Sequence, residues 1–170
     1  MSRRLIIFGN SGAGKSTLAS ALARCEGLAH LDLDTLAWLP AVTPPQRRPL
    51  DDAEAAIAAF MSGAEDWVVE GCYADLLAFA AKRATGAIWL DLPVETCTAN
   101  ARARPFEPHK YASPQAQDAN LPMLIDWISA YDTRDDTLSR RAHQMLFDSF
   151  AGSKVTLRAN SAVEDIPFPG

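Results

Sequence analysis

The chain is predicted to fold as an α/β protein in which a parallel sheet is covered by helices on both faces. Short, almost wholly apolar runs recur along it: Leu5-Ile6-Ile7-Phe8, Trp67-Val68-Val69 and Ala87-Ile88-Trp89-Leu90. Strands of that kind are buried on both sides, as parallel strands are. Segments of helical periodicity separate the runs, supplying the crossovers that parallel neighbours need. Three of the strands end in an acid, at Asp32, Glu70 and Asp91, and the carboxyl edge of such a sheet is where open α/β folds bind ligands. A length of 170 residues with 48% hydrophobic and 22% charged residues fits one domain, 1–170, with a substantial core.

Leu5 to Phe8 predict the first strand. The residues that follow it, Gly9-Asn10-Ser11-Gly12-Ala13-Gly14-Lys15-Ser16, spell the phosphate-binding pattern G-x-x-x-x-G-K-[ST]. Its glycines let the backbone curl so that successive N–H groups converge on an anion, and the helix that Lys15 opens adds its unsatisfied donors and positive dipole end. Gly9 through Thr17 are therefore expected to hold a nucleoside triphosphate, with the Ser16 hydroxyl on a magnesium ion. Leu18, Leu22 and Cys25 give that helix an apolar face, and Gly27 is placed to end it.

His30-Leu31-Asp32 predict a second strand that enters a loop or helix at Leu33-Asp34-Thr35. Four prolines between Pro40 and Pro49 exclude regular structure and predict an exposed loop. Ala53, Ile57, Phe60 and Met61 predict an amphipathic helix, with Asp51 and Asp52 as cap candidates and Gly63 as its stop. Residues 67–71 and 87–91 predict the third and fourth strands, with a short helix over 76–82 between them. Helices follow over 94–104, around Leu121 to Ile128, and around Leu138 to Leu146, the last with Leu138, Ala142, Met145 and Leu146 on one face, and an irregular stretch over 105–113 comes after the first. Lys154 to Leu157 predict a fifth strand. The tail from Ile166 is expected to lie extended over the surface or to fray.

Sixteen basic against 21 acidic residues give a net charge of −5, which argues against a general nucleic-acid binder. No apolar run reaches membrane-spanning length and no targeting segment is visible, so a cytoplasmic protein is expected. Cys25, Cys72 and Cys97 are odd in number and scattered, which predicts reduced thiols rather than a disulfide framework or zinc site. His109 and His143 lack partners at metal-ligand spacing. Trp38, Trp127 and the last two helix faces pack internally or against a second subunit; the oligomeric state is not readable.

Phosphoryl transfer needs metal support, a placed acceptor and positive charge over the transferred group. Asp32 and Asp34, leaving the second strand, are candidates for holding the ion through water and for meeting the acceptor hydroxyl. Glu70-Gly71, at the equivalent edge of the third strand, are candidates for the acceptor or for magnesium support, and Tyr73 beside them for packing. Asp91, followed by Leu92-Pro93, is read as a cap for the next helix. Arg102 and Arg104 precede the irregular stretch that would act as a lid over about 102–135, and are candidates for closing over the phosphates. Arg47 and Arg48 lie in an acceptor-side flap, about 36–63, where they would meet an anionic group.

Together, the loop at 9–16, Asp32-x-Asp34, Glu70-Gly71 and the arginine-bearing segment after the fourth strand resemble the adenylate-kinase-like and shikimate-kinase-like branch of phosphate-loop (P-loop) kinases. In the small bacterial kinase-like proteins labelled topology modulation proteins, a Trp-Val-Ile-[DE]-Gly-x-Tyr segment corresponds to Trp67 through Tyr73. The resemblance implies a three-layer fold with strand order 2-3-1-4-5 and a magnesium nucleotide. It also implies that Lys15 bridges the β and γ phosphates, Ser16 ligates the metal, Asp32 holds it through water, and Asp34 meets the acceptor. The chain departs from adenylate kinases, which carry Asp-Gly at the position of Glu70-Gly71, and lacks their full set of monophosphate-binding arginines. It also lacks the arginine and glycine-pair pattern of shikimate binding.

The expectation is an ATP- or GTP-dependent kinase acting on a small molecule or nucleotide, with Lys15, Asp34, Arg102 and Arg104 as catalytic groups. The alternatives are a nucleotide-binding regulator or slow ATPase that acts through a protein partner, and a nucleic-acid end kinase.

Overall fold

The structure is a computed structural model that describes residues 2–167; Phe168, Pro169 and Gly170 of the expected tail lie outside the described residues. Five parallel strands, β1 (Arg4–Gly9), β2 (Ala29–Asp32), β3 (Trp67–Gly71), β4 (Gly86–Leu90) and β5 (Ser153–Leu157), form one sheet in the order β2-β3-β1-β4-β5. Six helices accompany it: α1 (Lys15–Glu26), α2 (Leu50–Ser62), α3 (Ala74–Ala81), α4 (Val94–Ala103), α5 (Pro114–Ser129) and α6 (Arg140–Ser149).

Strand alternation sorts the core into two layers. Ile6, Phe8, Trp67, Val69 and Trp89 point to the face packed by α2, α3 and α6, through residues such as Ile57, Leu77 and Leu146. Leu5, Ile7, Val68, Ile88 and Leu90 point to the other face, against Leu18, Leu22, Cys97 and Ile128 of α1, α4 and α5. Ile166 joins this second layer, so the chain is still packed at that point rather than frayed. In register, Asp32 stands beside Glu70, and Phe8 beside Gly71, which lines up the carboxyl ends of β1, β2 and β3 at one edge.

Several local outcomes differ from the periodicity. The proline-rich stretch has backbone pairing of its own: Trp38 bridges Arg47 in antiparallel fashion, and Leu39 N–H donates to the Gln46 carbonyl at 2.9 Å. Helix α2 starts at Leu50 behind Pro49, so Asp51 and Asp52 sit in its first turn, where they complement the dipole without capping. Met145 is 62% exposed, because α6 begins at Arg140 and turns His143 and Leu146 inward instead.

His143 is wholly buried, and its hydrogen bonds define its state. The Cys72 carbonyl, 2.8 Å from Nε2, can only accept, so Nε2 carries the proton. Nδ1 then accepts from the Tyr131 hydroxyl at 2.7 Å, which itself accepts from Trp89 Nε1 at 3.3 Å. Burial pushes the imidazole pKa down from 6.5 to about 4. The unfolded chain therefore binds a proton that the folded one refuses between those values, and folding loses stability as pH falls through that window. Asp32 works the other way: burial with Glu70 and Asp34 nearby raises its pKa from 3.8 to about 6, so acid favours the ligand-free fold there. Comparison with His143→Gln isolates the imidazole. The stability advantage of the parent over this variant, read from urea unfolding, is expected to shrink by about 3 kcal/mol between pH 7 and pH 4. A difference independent of pH would contradict a neutral buried His143.

Candidate functional site

The phosphate loop follows β1 and leads into α1 through Gly14, whose φ of 89° is a conformation few side chains tolerate. A Cβ there would also come within 2.8 Å of Asn160 Nδ2. Helix α1 has no capping side chain and no acid in its first turn, so its leading N–H groups are kept for an external anion. The opposite edge of the loop is tied down. Asn100 Nδ2 donates to the Gly12 carbonyl at 2.9 Å, Asn160 Nδ2 donates to the Ala13 carbonyl at 2.9 Å, and buried Asn10 donates to the Ile128 carbonyl at 3.0 Å. Lys15 Nζ donates to the Asn10 carbonyl at 2.8 Å, holding the ammonium over the loop. Asn100 and Asn160 brace the loop from positions that the sequence reading did not single out.

A cleft of about 310 Å³ opens from this loop, lined by Ser11, Gly12, Gly14, Lys15, Ser16 and Thr17 on one side and by Asp34, Glu70, Gly71, Arg104, Glu107 and Lys110 on the other. A second cleft of about 470 Å³ adjoins it, bounded by Gly12, Thr17, Ala21, Asn100, Pro105 and Asn160. The loop thus separates two compartments.

Asp34 lies in a short 3-10 turn (Leu33–Thr35) begun by Asp32, whose carboxylate accepts from the Asp34 N–H at 2.9 Å. The side chain of Asp34 keeps 44% of its surface exposed. Its Oδ1 accepts from the Tyr73 hydroxyl at 2.7 Å, and that hydroxyl accepts from Trp38 Nε1 at 2.8 Å. Lys110 Nζ reaches the other oxygen at 3.4 Å. Desolvation by the cleft walls opposes ionisation, but Tyr73, Lys110 and Lys15 outweigh it and hold the carboxyl below its ordinary value. Tyr73, expected only to pack, thus orients the Asp34 carboxylate. The surrounding carboxylates Asp34, Glu107 and Asp32 likewise overcome the desolvation of Lys110 and raise its pKa.

The structure brings Lys15, Ser16, Asp34, Glu70, Gly71 and Arg104 to one cleft, and Asp32 to its margin, but not the other predicted arginines. Arg102 is exposed and lines a separate groove with Gln117 and Leu121. Arg104 is paired with Glu107 at 3.1 Å. Arg47 is paired with Asp75 at 3.0 Å and stands 4.9 Å over the Tyr73 ring, while Arg48 Nε donates to the Leu36 carbonyl at 2.8 Å. Both hold the flap together. Asp91 is not a helix cap either: Arg140 grips it with two hydrogen bonds of 2.9 and 2.7 Å. Among the described residues no group of three or more His, Cys, Asp or Glu side chains is arranged to hold a metal. A magnesium ion at Ser16 and Asp32 would therefore complete its shell with water and phosphate oxygens, as this hard cation ordinarily does.

Sheet order, loop and helices define the fold of the P-loop kinases. Solved structures that share it are a sugar kinase from Janibacter sp. HTCC2649 (14% identical, TM-score 0.54, covering 96% of this chain and 89% of that one) and a gluconokinase from Sinorhizobium meliloti 1021 (17%, TM-score 0.53, 96% and 86%). The chain is also similar to YqaC of Bacillus subtilis (strain 168), an uncharacterized protein, at 26% identity over 161 residues, 85% of this chain and 82% of that one. No family model matches. Among the described residues no helix is long and apolar enough to cross a membrane.

Proposed function

We propose that the protein is a kinase that transfers the γ-phosphoryl group of ATP or GTP to a hydroxyl of a small molecule. One observation carries this: a polarised carboxylate, Asp34, shares a single cleft with Lys15 and the open N-terminus of α1. A regulator that only senses nucleotide has no need of such a group beside its phosphate site.

A magnesium ion, when bound, would supply neutralisation of the phosphate charge. The chain does the rest. The loop amides and Lys15 hold the phosphates, and Ser16 with Asp32 is suited to the metal. Asp34 accepts the hydrogen bond of the acceptor hydroxyl and aims its oxygen at the γ-phosphorus. The new O–P bond forms as the β–γ bridging bond breaks, the nucleoside diphosphate leaves with that electron pair, and the proton passes to Asp34. A carboxyl held below its ordinary pKa is a weak base, so orientation is its main contribution, as a loose transition state allows. The segment around Arg104 and Lys110 forms the lid, and the stretch over 36–48 the acceptor-side flap. The second cleft, beside Asn100 and Asn160, is assigned to the nucleotide base.

The proposal is tested with γ-labelled ATP and a panel of polyols, sugars, nucleosides and amino alcohols. Acceptor-dependent label transfer that Lys15→Ala removes is expected. Hydrolysis indifferent to every acceptor and stimulated by a protein partner would favour the regulatory alternative instead.

A further inference from the structure

We infer that the acceptor is an amine-bearing alcohol, recognised by Glu70, and not a carboxylate- or phosphate-bearing one. This deepens the kinase proposal and rests on it.

Glu70 ends β3 and is 1% exposed, yet it lines the cleft. Its Oε1 makes no hydrogen bond; His30 Nε2 lies 3.5 Å away, within ion-pair range, and attracts it as a charge only when the imidazole is protonated. A buried carboxylate oxygen without a donor is costly, and a ligand that brings N–H or O–H groups removes the cost. Gly71 beside it lines the cleft with backbone, and a Cβ there would crowd the buried side chains of Leu33 and Tyr73.

Other carboxylates crowd the space around that oxygen. Asp34 and Glu107 face the same space, and Asp32 is the in-register neighbour of Glu70. Apart from Lys15, which the phosphates take up, the lysine and arginine side chains that line this cleft are already paired. Lys110 serves Asp34 and Glu107, at 3.4 and 3.6 Å, and Arg104 serves Glu107. Arg47, the residue best placed by sequence to meet an anion, is bound to Asp75 and stacked on Tyr73. An anionic acceptor would meet carboxylates with no cation left beyond the Lys15 that the phosphates take up, whereas an ammonium would find the Glu70 oxygen without a hydrogen-bond donor in a low-dielectric wall, where a charge-assisted hydrogen bond is strongest. Asp34 would remain available to the hydroxyl that reacts.

The experiment compares matched compounds that differ only in charge: glucosamine, glucose, gluconate and glucose 6-phosphate, and in a smaller frame serinol, glycerol, glycerate and glycerol phosphate. Each is tested for label transfer from ATP. Each is also tested for binding, by calorimetry, to the full chain loaded with magnesium and the β,γ-imido analogue of ATP. In at least one series the amine is expected to be favoured over its anionic counterparts by about tenfold or more. Glu70→Gln should erase that preference while leaving analogue affinity unchanged. Equal or better use of the anions would overturn the inference and leave the kinase proposal standing. A loss in Glu70→Gln that is uniform across acceptors and tracks magnesium concentration would overturn it too, since Glu70 would then serve the metal. If analogue binds but no compound in either series binds or accepts label, the inference also fails, and transfer to any other alcohol in the wider panel would keep the kinase proposal alive without it.

Discussion

Asp34→Asn is expected to reduce acceptor-dependent phosphoryl transfer by about 10²-fold or more, on the scale seen when a positioned carboxylate is lost from a reacting hydroxyl. Asparagine keeps the size of the side chain and can still accept from Tyr73 through its carbonyl, so the flap and the Trp38–Tyr73 contact should persist. It cannot take a proton, and it offers Lys110 no charge. The effect should fall on kcat, with nucleotide affinity changed by no more than about twofold, because Asp34 lies across the cleft from the loop. Rapid-quench measurement of the label on the acceptor reads this directly. Transfer retained within a few-fold of the parent would remove Asp34 from the chemistry.

Lys15→Ala should have an effect of similar size by a different route. The ammonium supplies charge where the β–γ bridge breaks, and its removal is expected to lower transfer by about 10²–10³-fold. Triphosphate binding should weaken as well, by about tenfold or more, because a charge-assisted hydrogen bond is lost from a site built of neutral amides. The fold should survive, since among the described residues Lys15 Nζ bonds only to the Asn10 carbonyl in its own loop. Unchanged unfolding in urea alongside lost nucleotide affinity would separate a binding role from a structural one. An acceptor-stimulated rate equal to that of the parent would contradict the assignment.

What could be seen in the sequence was local or periodic. The loop from Gly9 to Ser16 announces itself because its geometry depends on consecutive residues, and β1, β3 and β4 because burial on both faces leaves almost no polar positions. The partners that complete the site are invisible for the converse reason. Asn160 reaches the Ala13 carbonyl across a separation of 147 positions, Lys110 reaches Asp34 across 76, and Tyr73 reaches it across 39. No spacing rule joins residues that meet only after the sheet has formed.

Charge misled where pairing was hidden. Arg47 in a proline-rich stretch has the composition of an exposed anion site, but Asp75 at the start of α3 and the Tyr73 ring claim its guanidinium. Asp91 before a proline has the pattern of a helix cap, but Arg140, 49 positions later, binds both of its oxygens. Arg102 fell one helical face away from the cleft that Arg104 reaches, a difference that the helix end at Ala103 decides. In α6 the apolar spacing of Leu138, Ala142 and Met145 assumed a helix that already included Leu138. With the first turn at Arg140, the inward face passes through His143, and a buried neutral imidazole takes the place expected of a methionine.

The most direct test of a phosphate site poised for transfer is calorimetric titration of the folded chain with magnesium ATP, magnesium GTP and the corresponding diphosphates, beside Lys15→Ala. The structure leads to saturable one-to-one binding of a triphosphate at micromolar to low millimolar concentration, weakened about tenfold or more in the variant. No heat of binding for any of these nucleotides at millimolar concentration, from protein shown to be folded, would contradict it.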